Sequence, residues 1–155
     1  MLMERVLVVG IGNEMRGDDG AGVMLARKLD STPDLETLDV GTVPESFTGK
    51  MREVGADLIL LADAVDFGGE PGSVGVFDAE QIPARWCTTH HAPLSILMDF
   101  LKQETGSEVL LLGIQPKEIR QNAPPSQEVE ASVAALAQLM NKQVFSAIET
   151  LRARR

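Results

Sequence analysis

The stretch Val6-Leu-Val-Val-Gly10-Ile-Gly-Asn-Glu-Met-Arg-Gly-Asp18-Asp19-Gly-Ala-Gly22-Val-Met-Leu-Ala-Arg-Lys-Leu29 decides the fold. It opens on a continuous apolar run, the pattern of a strand buried on both faces. From Val23 to Leu29 the apolar residues recur at helical spacing. Glycines and acids fill the span between, so the segment reads as strand, turn and helix. In open α/β sheets such turns, at the carboxyl ends of strands, line the ligand crevice. Two adjacent carboxylates, Asp18 and Asp19, sit in this one.

Working outward, Leu35 to Val40 reads as a second strand closed by Gly41 and Pro44, followed by a short helix from Ser46 to Val54. Asp57 to Val65 is the most hydrophobic strand and belongs at the sheet centre. After the turn Gly68-Gly-Glu-Pro-Gly72, a fourth strand from Ser73 to Asp78 follows closely enough to run antiparallel to its neighbour. Trp86-Cys-Thr-Thr-His-His-Ala-Pro93 is a polar connection into a helix from Leu94 to Lys102, with Pro93 suited to the first turn. Glu108 to Ile114 is a fifth strand. Pro124-Pro125-Ser126 then opens one long helix, whose Val129, Val133, Leu136, Met140, Val144, Ile148 and Leu151 recur every three or four residues. Strands alternating with helices predict an α/β fold, a three-layer α/β/α sandwich, as one domain over residues 1–155.

The 155 residues, 44% of them hydrophobic, suffice to bury roughly 70% of the unfolded surface without staples. A net charge of -9 repels a phosphate backbone, so no nucleic acid is expected as partner. The basic end, Arg152-Ala-Arg-Arg155, complements a helix C-terminal dipole. One cysteine excludes an internal disulfide and any multi-cysteine zinc motif, which fits a cytoplasmic location. Charges interrupt the apolar N-terminal residues, unlike a signal peptide, and no run reaches the ~18 apolar residues of a membrane helix. Without an exposed heptad or long edge run, a monomer is the expectation.

Three places carry candidate chemistry. The glycine turn matches a dinucleotide fingerprint at Gly10 and Gly12, but Met15 stands where the third glycine belongs, and acids stand where a pyrophosphate wants backbone N–H groups. Asp39, at the end of the second strand, imitates a ribose-binding acid. One of Asp18 and Asp19 can cap the first helix; the other, beside Gly20 and Gly22, which leave space for a partner to approach, is available for another role. Asp63 ends an otherwise apolar strand, where an unpaired carboxylate would cost several kcal/mol, so it requires a cation, a donor or a proton. Asp66 can share that rim. His90 and His91 are the only histidines and lie side by side. Two carboxylates and an imidazole, if they converge, suit zinc, nickel or a similar divalent ion with open coordination positions. No Gly-x-Ser-x-Gly elbow is present, and Cys87, three residues before His90, points away from it on an extended segment and reads as core.

Val8-Val-Gly-Ile-Gly-Asn-Glu-Met-Arg-Gly-Asp-Asp-Gly-Ala-Gly22, Leu38-Asp-Val-Gly-Thr-Val-Pro-Glu45, Leu60-Leu-Ala-Asp-Ala64, Thr88-Thr-His-His-Ala-Pro-Leu94 and Leu112-Gly-Ile-Gln-Pro116 together resemble the [NiFe]-hydrogenase maturation endopeptidases, most closely those of the hydrogenase 3 (formate hydrogenlyase) type. The resemblance runs from about residue 5 to residue 116. It implies a mixed, mostly parallel five-stranded sheet between helices. It further implies a peptidase that removes the C-terminal extension of a hydrogenase large-subunit precursor after nickel insertion. On that resemblance the metal-binding triad falls on Asp19, Asp63 and His90, with the nickel supplied by the substrate and another divalent ion able to take the site in vitro. Asp18, Asp39 and Glu45 are then second-tier candidates for substrate contact or water activation, and His91 has no ligand role. A nucleotide-binding domain and a non-catalytic large-subunit chaperone are the competing readings.

Overall fold

The computed structural model describes residues 5–86 and 93–153. In chain order the regular elements are β1 (Val6–Ile11), α1 (Ala21–Lys28), β2 (Leu35–Gly41), α2 (Thr48–Val54), β3 (Leu58–Ala64), β4 (Val74–Phe77), α3 (Leu94–Thr105), β5 (Glu108–Ile114), α4 (Gln127–Lys142) and α5 (Val144–Ala153). The sheet order is β2-β1-β3-β5-β4, with β4 alone antiparallel, paired to β5 from Val74↔Ile114 to Phe77↔Leu111. The expected mixed, mostly parallel five-stranded sheet is therefore present. The most apolar strand, β3, lies at its centre.

Alternation along the strands explains the layers. Val6 and Val8 of β1, Leu58 and Leu60 of β3, and Leu110 and Leu112 of β5 point to one face, where Leu25 of α1, Val129, Val133 and Met140 of α4 and Ile148 of α5 cover them. Leu7, Val9, Ile59, Leu61 and Leu111 point to the other face, under Met51 of α2 and Leu97, Met98 and Leu101 of α3. Each such side chain, fully buried, contributes about 2 kcal/mol of transfer free energy. β1 and β3 have no solvent face, which is why their sequences read as unbroken apolar runs.

Two expectations need correction. The predicted single helix to Leu151 is two helices, because Gln143 adopts an extended conformation (φ -160°, ψ 100°) and its side chain accepts the Phe145 N–H at 2.9 Å. The apolar period continues through the break because α4 and α5 pack on the same core cluster. Pro93 is the N-cap of α3 rather than a first-turn residue. Among the described residues no helix is long and apolar enough to cross a membrane.

Candidate active site at the ends of β1 and β3

The chain runs from β1 outward to β2 and then returns to β3 on the other side of β1, so the topology switches between β1 and β3. A crevice opens at the carboxyl ends of strands at such a point. The β1–α1 connection lies at this switch point. Residues Gly17–Gly20 make one 3₁₀ turn, and α1 begins directly after it. Gly22 is obligatory there: a Cβ would lie 2.0 Å from the Ala62 carbonyl oxygen and 2.6 Å from that of Ile11. Gly12, with φ +140°, would place a Cβ 1.9 Å from the Asp19 carbonyl oxygen. The space at these glycines is taken by the protein's own backbone. Neither the partner expected near Gly20 and Gly22 nor a pyrophosphate has room there.

That contact brings Asp19 of the turn to Asp63, one residue after Ala62. Both are almost fully buried, at 2% and 3% exposure. Asp19 Oδ2 accepts the Asn13 N–H at 3.1 Å, and Asp63 Oδ1 accepts the Ala64 N–H at 2.8 Å. Burial, and next the charge of Asp19, hold the Asp63 carboxyl well above its ordinary value of 3.8, with the Ala64 N–H pulling weakly the other way. Burial and the neighbouring charge thus both disfavour the ionised form of Asp63. Two hard oxygen donors with this unfavourable mutual charge fit a divalent ion. Among the described residues no group of three His, Cys, Asp or Glu side chains could hold a metal. The third expected ligand, His90, lies outside the described residues, as do His91 and Cys87.

Asp18 behaves differently, and the N-cap position of α1 is taken by Gly20 rather than by either aspartate. Asp18 is fully buried and turned toward the β5–α4 connection. It accepts the N–H groups of Lys117 (2.8 Å), Glu118 (3.1 Å) and Ser126 (2.7 Å), and the Ser126 hydroxyl at 2.8 Å. Burial alone would raise its pKa, but these four donors outweigh it and hold the carboxyl below its ordinary 3.8. Asp39 lies at the exposed end of β2, where it accepts the Gly41 N–H and the Arg27 guanidinium, the latter at 2.9 Å. Arg27 also pairs with Glu14, and Glu45 is exposed on the 3₁₀ turn Pro44–Phe47. Glu14, Asp39 and Glu45 are exposed, unlike the buried pair.

Sequence reasoning passed over Gln115 and Ser126. Gln115, 6% exposed, accepts the N–H groups of Phe67 and Gly69 and donates to Asp66 Oδ1, pinning the loop that follows Asp63. A glutamine closing an apolar strand just before a proline was the available signal. Asp66 is exposed and engaged with Gln115 and the Gly68 N–H, so it has a loop partner rather than a place in the pair.

The family model for the hydrogenase maturation protease HycI matches residues 23–143. The chain belongs to the hydrogenase maturation protease family. It is 37% identical over 131 residues to the hydrogenase 3 maturation protease of Escherichia coli K12, covering 83% of each chain. It is 33% identical over 139 residues to a putative hydrogenase maturation protease of Methanocaldococcus jannaschii, covering 83% of this chain and 82% of that one. The crystal structure of the [NiFe] hydrogenase maturation protease HycI from Thermococcus kodakarensis superposes with a TM-score of 0.82 at 36% identity, over 90% of this chain and 92% of that one. The protease is thus a peptidase built on the α/β fold of its relatives, and the nucleotide-binding reading falls away.

Proposed function

We propose that this protease removes the C-terminal extension of a [NiFe]-hydrogenase large-subunit precursor after nickel has been installed, and that Asp19, Asp63 and His90 read that nickel by completing its coordination. The observation that carries this is the buried carboxylate pair. Burial and the charge of Asp19 disfavour the ionised form of Asp63, and a divalent ion arriving with the substrate would match the pair's charge. A precursor lacking nickel offers nothing to that pair. Asp19, Asp63 and His90 are the residues that would hold the ion, which would supply an anchor or Lewis-acid polarisation of the nearby carbonyl. Of the second-tier acids Asp18, Asp39 and Glu45, the exposed Asp39 and Glu45 are the candidates for substrate contact or water activation. The similarity to hydrogenase 3 proteases supports a precursor of that class. Nickel belongs to the substrate, zinc or another divalent ion can take the same ligands in vitro, and the enzyme works as a cytoplasmic monomer on a protein partner, without nucleic acid or membrane.

The test is the mass of the precursor's C-terminus after incubation with the protease, with and without nickel loading. Shortening of the loaded precursor far faster than of the nickel-free one is expected. An unchanged mass with the loaded precursor would leave a holding chaperone as the better description.

A further inference from the structure

We propose that Asp18 is a positioning residue for Asp19, clamping the metal-reading turn onto the β5–α4 connection so that the two move as one body. This rests on the proposed nickel-reading role of Asp19. The glycine turn and the connection are joined in both directions. Asp18 takes four hydrogen bonds from Lys117, Glu118 and Ser126. In return the N–H groups of Gly17 and Asp18 donate to the carbonyls of Ala123 and Glu118, and Asn122 N–H donates to the carbonyl of Met15. Ser126 extends the clamp, since its hydroxyl donates to Asp18 and accepts the Val129 N–H as N-cap of α4. Asp18 and Asp19 share a single 3₁₀ turn of four residues, so any rotation that releases Asp18 turns Asp19 away from Asp63. On the opposite side Gly22, two residues after that turn, seats the start of α1 against Ala62. Besides its own bond from the Asn13 N–H, Asp19 is therefore held through its chain neighbours on both sides, and Asp18 supplies the side-chain clamp toward the β5–α4 connection. Orienting groups behind a metal ligand typically govern 10 to 100-fold of its affinity or activity.

The experiment compares Asp18→Asn and Ser126→Ala with Ile148→Ala, a core change in α5, away from the strand ends. Each variant is assayed below its own melting transition on nickel-loaded and nickel-free precursor, and amide exchange is followed at Gly17 and Asp19. Asp18→Asn should lower kcat/KM on the loaded precursor at least about tenfold and shrink the loaded-to-free cleavage ratio. Ser126→Ala should do the same to a smaller degree, and both should speed exchange at the two amides. Ile148→Ala should keep the ratio and kcat/KM even where its melting temperature falls as far. Wild-type kcat/KM and ratio in folded Asp18→Asn, or in Ser126→Ala where Asp18→Asn does not fold, overturn the clamp. So does an equal loss in Ile148→Ala. Failure of the wild type to cut loaded precursor counts against the proposed function instead, and the exchange rates then decide the clamp by themselves.

Discussion

Asp18 and Asp63 are both hidden from solvent, yet their surroundings push them in opposite directions. The first collects four hydrogen bonds from a connection far along the chain, and the second receives one among the described residues while facing the charge of Asp19. A buried carboxylate supplied with donors is a structural joint that stays ionised. One kept short of donors beside a second carboxylate is destabilised, a cost that a bound cation would relieve. The division between joint and site is thus made by donor supply, not by burial or residue type.

The severest way to break this contrast is Asp63→Asn. It removes a proposed metal ligand and should lower processing of the loaded precursor by more than about 100-fold. The same change relieves the enforced carboxyl pair, so the melting temperature at neutral pH should rise. A variant that cleaves normally, or one that melts lower, would contradict the assignment of Asp63 as an under-donated ligand. Next in size is Gly22→Ala, whose Cβ would meet two backbone carbonyl oxygens that cannot rotate aside. Separating the turn from β3 should cost about 3 kcal/mol and at least about tenfold in processing, read by urea titration and by precursor assay. A fully active Gly22→Ala enzyme would show that the Asp19–Asp63 approach does not depend on that contact.

The two carboxylates also predict opposite pH limbs. Asp18 has a folded pKa below 3.8, so its stabilisation is complete above that value and is lost as pH falls through the lower folded value. Asp63 has a folded pKa above 3.8, so the folded state binds the extra proton, and stability falls as pH rises from 3.8 toward the folded value. Urea midpoints across the acid and neutral range should therefore show Asp18→Asn flattening the acid limb and Asp63→Asn flattening the decline toward neutrality. Adding zinc or nickel should reverse that decline in the wild type and leave Asp63→Asn unmoved. Parallel pH profiles in the two variants would erase the distinction drawn here.

Much of this was legible in the sequence because burial writes itself as composition. β1, β3 and β5 are apolar on both faces, and the punctuating glycines located the strand-to-helix turn. Asp63 stood out as the one charge ending such a run. The separate fates of Asp18 and Asp19 did not, since the donors that capture Asp18 lie 99 to 108 residues further along and no local pattern announces them. Spacing likewise allowed Gly20 and Gly22 to be read as room for a ligand, whereas the backbone of Ala62 and Ile11 occupies the room at Gly22, and Glu14 lies against Gly20. The interruption at Gln143 was invisible for a related reason: an apolar period that continues in phase hides a one-residue break.

The smallest expected effect concerns the rim. Arg27 bridges Glu14 and Asp39 across the mouth of the crevice, with over half of its side chain in solvent. Pairs this exposed contribute little, and salt screens them. Arg27→Ala should shift the melting temperature by about 1 °C or less, a difference that disappears at high ionic strength, and should change precursor processing less than threefold. The weight of this variant lies in Asp39. If processing instead falls as far as in Asp63→Asn while the melting temperature holds, then the guanidinium that orients Asp39 is acting on the reaction, and Asp39 belongs with the buried pair. The boundary between a rim of replaceable charges and a floor of indispensable ones would then have to be drawn one strand further out, at the end of β2.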